Sequence, residues 1–164
     1  VVLCPSTEGN LGDGIFRMKE FVKLGGRWSI GTDSHIGINP LEEFRMIDYR
    51  QRLVTNERNT FEGDAAHYMI NEGIVSGRKA MGIESRENFE PGKPLDALVL
   101  DAKSPLLATT SLKNIAATIV YSADANYALG TIVNGKWIVK NSRHNDGNEI
   151  KNNFAQALRQ MKNR

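Results

Sequence analysis

The run Gly31-Thr32-Asp33-Ser34-His35 places a carboxylate and an imidazole two residues apart, at the end of a stretch, Arg27 to Thr32, that reads as a strand. An aspartate at a strand end can bind a hard or borderline cation and can accept a proton from bound water. On spacing alone, however, the pair reads more simply as a capping carboxylate and a surface imidazole. A second cluster, Thr7-Glu8-Gly9-Asn10-Leu11-Gly12-Asp13-Gly14, offers two carboxylates and an amide in what reads as a long irregular loop, Ser6 to Gly14. A glycine-rich loop after a strand suggests phosphate. This one lacks both the Gly-Lys-Ser/Thr ending and a Gly-x-Gly-x-x-Gly opening a helix, which argues against a nucleotide. It suits a ligand contact and a loop held by its own Asx turns equally well.

The other candidates are weaker. His67 and His144 stand without a second ligand at metal spacing and read as structural. Glu42 and Glu43 are accounted for by the positive end of a helix, and Arg45, Arg50 and Arg52 by a solvated face. Cys4 is the only cysteine, so neither an intrachain disulfide nor a thiolate metal cluster can form.

The elements that must position these groups follow from local pattern. Val1 to Cys4 is a short apolar strand closed by Pro5; Ile15 to Leu24 is an amphipathic helix ended by Gly25 and Gly26. Strand, loop, helix, strand is a parallel α/β unit. Asn39 as cap and Pro40 at the first helical position start a helix to about Val54, expected to bury Leu41, Phe44, Ile47 and Leu53. Another helix should run from Phe61 to Val75, with glycines setting off a short separate helix near Arg78 to Met81. Leu95 to Asp101 reads as a strand and Ile115 to Tyr121 as helix or strand. Ala128 to Val133 and Lys136 to Val139 flank Asn134-Gly135, a tight hairpin turn, and Ile150 to Met161 has helical apolar spacing.

Composition bounds the function classes. The 164 residues suffice for one ordinary domain but fall well short of the roughly 250 of a complete eight-stranded α/β barrel. Twenty-one Lys and Arg against nineteen Asp and Glu, interspersed along the chain, leave no footprint for nucleic acid. No apolar run approaches a bilayer span, so no membrane partner is expected, and the single cysteine suits a reducing, cytoplasmic setting.

Two stretches carry a resemblance. Cys4-Pro5-Ser6-Thr7-Glu8-Gly9-Asn10-Leu11-Gly12-Asp13-Gly14-Ile15-Phe16 is one; Gly31-Thr32-Asp33-Ser34-His35 with Pro40-Leu41-Glu42-Glu43-Phe44-Arg45 and Tyr49-Arg50-Gln51-Arg52-Leu53 is the other. They resemble the formimidoylglutamate deiminases of the amidohydrolase superfamily. The Ser-His and Glu-Glu continuation separates them from the related guanine, cytosine and adenosine deaminases. Gly9 stands where that family usually has Ala, and Thr32 where Ser is common.

The resemblance implies an α/β fold. The chain would be the C-terminal fragment of an eight-stranded barrel, strands 7 and 8 with their helices over 1–83. The C-terminal strands of a small β-sandwich would fill 84–149, and a C-terminal helix 150–164. It implies one zinc ion held by a His-x-His of the first strand, a His of the fifth and the Asp of the eighth, here Asp33. Asp33 would also be catalytic, with His35, Thr7, Glu8 and Asn10 as substrate-binding candidates. The implied reaction hydrolyses N-formimino-L-glutamate to N-formyl-L-glutamate and ammonia, in histidine degradation. With one ligand of several the chain alone is expected to be inactive and, with strand edges exposed, to form a homodimer. The alternatives are a deaminase acting on a purine, pyrimidine or triazine ring, and a non-catalytic module that binds a partner through strand edges.

Overall fold

A computed structural model describes residues 1–84 and 89–162. The expected boundary at 83 and 84 therefore abuts residues outside the described set. The chain is mixed α/β and divides into two compact units, Val1–Glu87 with Ala102–Ala125, and Asn88–Asp101 with Asn126–Arg164.

The first unit begins with β1 (Val2–Leu3) and β2 (Ser29–Ile30), a parallel pair in the register Val2 to Ser29 and Leu3 to Ile30. Between them the expected loop is replaced, over Pro5–Leu11, by helix α1. Glycine and asparagine make that segment look irregular, but its ends are held. Pro5 occupies the first turn, the Glu8 carboxylate accepts from the Cys4 N–H at 2.8 Å, and Gly12 closes the helix in the left-handed region at φ 77°. Helix α2 (Met18–Lys23) starts three residues later than the pattern suggests and ends before Gly25, itself at φ 77°.

Helix α3 (Pro40–Thr55) is capped as expected: the Asn39 side chain accepts from the N–H of Leu41 at 3.1 Å and of Glu42 at 3.4 Å. Its buried face is Glu43, Phe44, Ile47, Asp48 and Gln51, a spacing of three to four residues. Leu53 lies six residues beyond Ile47, off that face, and is exposed rather than buried; Leu41 is half-buried.

Helix α4 (Ala65–Ala80) is one continuous element, not two. Glycine inside a helix costs about 1 kcal/mol relative to alanine, so Gly73 and Gly77 suggested breaks. Both are there because the backbone is crowded. A Cβ on Gly73 would lie 2.8 Å from Phe44 Cζ, and one on Gly77 2.8 Å from Ser29 Oγ. The core against which α4 packs is built on Trp28, fully buried and surrounded by Phe44, Phe61 and Tyr68, with Met18, Met69 and Val120.

The chain enters the second unit through β3 (Ala97–Leu100) and returns to the first as α5 (Pro105–Ala108) and α6 (Ile115–Ser122). The ambiguous Ile115 segment is thus a helix. Arg45 clamps its end, donating from Nε to the Val120 carbonyl at 2.9 Å and from Nη2 to the Ala123 carbonyl at 3.0 Å. Arg52 pairs with the buried Asp48, which also accepts from the Tyr121 hydroxyl at 2.5 Å. The three arginines are therefore not a solvated face: Arg45 and Arg52 bind within the core rim, and Arg50 binds Glu8.

In the second unit β3 joins β4 (Ala128–Val133), β5 (Lys136–Lys140) and β6 (Arg143–His144) in an antiparallel sheet of that order. The β4–β5 turn has the expected positive φ at Asn134, 50°, and Gly135, 75°. Helix α7 (Gly147–Lys162) buries no residue and leaves Ile150, Phe154, Leu158 and Met161 exposed. No helix among the described residues is long and apolar enough to cross a membrane.

Candidate functional site at the strand ends

Parallel pairing puts the carboxyl ends of β1 and β2 on the same side, and the Gly31 N–H donates to the Leu3 carbonyl at 3.0 Å to extend the pairing one step. Beyond Gly31 the two chains stay tied. The Thr7 hydroxyl, in the first turns of α1, donates to the Thr32 carbonyl at 2.7 Å, and the His35 N–H donates to the same oxygen at 3.1 Å. Asp33 is thus mounted on a peptide held from both sides. It adopts a left-handed conformation, φ 49°, a region that Asp and Asn enter more readily than other non-glycine residues. Its carboxylate is exposed and makes no hydrogen bond or ion pair among the described residues.

The other expected site residues separate by role. Thr7 is 4% exposed and its hydroxyl is engaged with Thr32. Both oxygens of Glu8 are engaged, one with the Cys4 N–H and the other with Arg50 Nη1 at 2.9 Å. These two residues hold the frame. Asn10 is exposed in the last turn of α1. His35 follows Asp33 in the same turn, and its Nδ1 lies 3.0 Å from the Gly37 nitrogen and 3.3 Å from the Gly37 oxygen, which ties the ring to its own loop. His67 and His144 lie elsewhere. The Asp64 carboxylate caps α4 by accepting from the His67 N–H at 3.0 Å, and His144 Nδ1 accepts from the Asp146 N–H.

Burial first, then the negative charges of Asp33, Glu8 and Glu43, push the Cys4 thiol up from its ordinary pKa, against a smaller opposing bond to the Gly31 backbone. Cys4 therefore stays protonated near neutrality and is a poor nucleophile and metal ligand. The same charges make this strand end attractive to a cation. Among the described residues, however, no three His, Cys, Asp or Glu side chains are arranged to hold a metal. A zinc site takes three or four protein ligands, so a carboxylate such as that of Asp33 could be one of such a set, and the described residues do not complete it.

Pattern reading missed Glu43 and Arg50. Glu43 is 1% exposed and accepts from Ser6 through both oxygens; Arg50, seven residues on and on the same helix face, reaches Glu8 and the Gly14 carbonyl. Two adjacent glutamates where the helix end needs only one were the available signal, together with that seven-residue interval.

The geometry is thus an exposed aspartate beyond the carboxyl ends of a parallel strand pair, on a frame of buried polar contacts. The chain belongs to the amidohydrolase family, whose sequence profile matches residues 1–138. It is 32% identical over 163 residues to formimidoylglutamate deiminase of Pseudomonas aeruginosa, covering 97% of this chain and 36% of that protein. It is 27% identical to 5-methylthioadenosine/S-adenosylhomocysteine deaminase of Moorella thermoacetica, over 98% of this chain and 37% of that one. Among solved structures, an amidohydrolase from Brucella melitensis superposes with a TM-score of 0.84 at 29% identity, over 98% of this chain and 36% of that one. An adenosine deaminase from Xanthomonas campestris with bound zinc gives 0.81 at 18% identity, over 100% and 38%. The chain thus spans little more than a third of the length of these relatives.

Proposed function

We propose that the chain is the C-terminal part of a zinc-dependent deiminase that hydrolyses N-formimino-L-glutamate to N-formyl-L-glutamate and ammonia. On this reading β1 and β2 are the seventh and eighth strands of a barrel, and the β3–β6 sheet is the C-terminal part of a small sandwich domain. The observation that carries the reading is Asp33: exposed at a parallel strand end, with no hydrogen bond or ion pair among the described residues. The Pseudomonas aeruginosa enzyme supports the choice of substrate.

In the reaction, water adds to the formimino carbon and gives up both of its protons, one as it attacks and one as the adduct collapses to the formyl C=O, while the formimino nitrogen gains two and leaves as ammonia when its C–N bond breaks. Asp33 is the group on this chain that takes the first of these protons and, with an acid outside this chain, returns it to the nitrogen. The chemistry supplied by a bound zinc ion is the lowering of a water pKa toward about 7. Asp33 supplies one of its ligands and sequence outside this chain the rest, so the 164 residues alone hold no zinc tightly.

A second reading, a deaminase of an adenosine-type ring, has the Moorella thermoacetica relative in its favour. Turnover by the complete protein on N-formimino-L-glutamate, compared with 5-methylthioadenosine and S-adenosylhomocysteine, separates the two. We place the enzyme in the cytoplasm, in histidine degradation, as a homodimer.

A further inference from the structure

We infer that Glu43 is a positioning residue for Asp33: its buried carboxylate anchors the start of α1, and that turn, through Thr7, fixes the peptide that carries Asp33. The inference rests on the role given to Asp33 above.

The path is short and each link is a covalent neighbour or a hydrogen bond. Glu43 Oε2 accepts from the Ser6 N–H at 2.9 Å, and Oε1 accepts from the Ser6 hydroxyl. Thr7 comes next in the chain and bonds the Thr32 carbonyl at 2.7 Å; Asp33 comes next after that. Helix polarity does not require this burial. Glu42, exposed in the same first turn, already puts a negative charge there. Burying a carboxylate is unfavourable unless both oxygens are satisfied, and the groups that satisfy Glu43 belong to the element that holds the Asp33 peptide. Arg50, on the same face of α3, grips Glu8 and the Gly14 carbonyl, so α1 is fastened to α3 at two points. Since α3 itself follows the Asp33 turn, the strand end is closed into a loop of contacts.

The test uses the complete protein carrying this chain, with Glu43→Gln, Thr7→Val and the double variant. Two readouts are taken: amide hydrogen exchange over residues 31–37, in which the His35 amide reports the Thr32 bond directly, and kcat and KM on N-formimino-L-glutamate. Each single variant should speed exchange in that segment while leaving the β4–β5 hairpin unchanged. Each should lower kcat by roughly ten- to hundredfold with KM within about twofold. The double variant should be no worse than the worse single, because both act along one path. Exchange and kcat within about twofold of wild type in Glu43→Gln, or multiplying effects in the double variant, overturn the inference. If Glu43→Gln does not fold, Ser6→Ala, which keeps the backbone bond, must show the same pattern in smaller degree, and unchanged exchange there overturns it. A wild-type protein inactive on this substrate would sink the substrate reading alone, since exchange still decides the link. Full activity in Asp33→Asn would remove the role of Asp33, not its connection to Glu43.

Discussion

The hydroxyl of Thr7 and the carbonyl of Thr32 meet at 2.7 Å, joining the helix after β1 to the chain leaving β2 one residue before Asp33. Thr7 is buried, so replacing it with valine keeps the shape and leaves that carbonyl with one partner fewer. Thr7→Val should destabilise the first unit by about 1–2 kcal/mol in chemical denaturation. No change would mean that the bond does not hold the strand ends.

Two glycines should respond in opposite directions. Gly73→Ala forces a methyl to 2.8 Å from Phe44 Cζ and should lose about 1–3 kcal/mol despite the better helix propensity. Gly9→Ala, in α1, meets its nearest atoms at 3.5 and 3.8 Å and should gain up to about 1 kcal/mol. Melting temperatures of the two variants, one down and one up, check the packing of both helices.

Tyr121 should give the fold an alkaline limit. Burial, then the bond to Asp48 and its charge, push the phenol well above its ordinary pKa, with Arg52 acting in the opposite direction. A raised folded-state pKa means the contribution is complete below the unfolded value of about 10 and is lost as pH rises through the folded one. Tyr121→Phe should cost about 1–3 kcal/mol at neutral pH. Its melting temperature should then fall less than that of wild type between about pH 9 and 11. Parallel curves would contradict this.

Helix α7 should mediate pairing with a second copy. Ile150, Phe154, Leu158 and Met161 form an exposed apolar stripe. Glu149 lies in the first turn and Arg159 and Lys162 in the last, so antiparallel pairing sets opposite charges against each other. Light scattering should give a dimer for the wild type and a monomer for Phe154→Glu; a concentration-independent monomer in both would refute the pairing.

What was legible in the sequence was what local chemistry decides. Asn39-Pro40 starts α3 and Asn134-Gly135 turns the hairpin because a side-chain cap, a fixed φ and two positive φ values need no distant partner. What was not legible depended on tertiary contact. Helix α1 is held by Cys4–Glu8 and by α3, α4 runs unbroken because Phe44 and Ser29 crowd its glycines, and Glu43 is buried because Ser6 lies opposite. At the site, spacing alone read Asp33 as a capping carboxylate and only the resemblance singled it out, while the contacts Thr7 and Glu8 make within the frame were not legible because polar residues that hold a frame and polar residues that bind a ligand have the same composition.

The most direct measurement is steady-state turnover of N-formimino-L-glutamate by the complete protein, wild type against Asp33→Asn, with folding followed by circular dichroism. Asparagine keeps the side-chain shape but neither takes up the water's proton nor matches a carboxylate as a metal ligand. The account predicts release of ammonia and N-formyl-L-glutamate by the wild type, and a loss of at least about a hundredfold in kcat for a folded Asp33→Asn. A folded Asp33→Asn protein that retains wild-type turnover would contradict it.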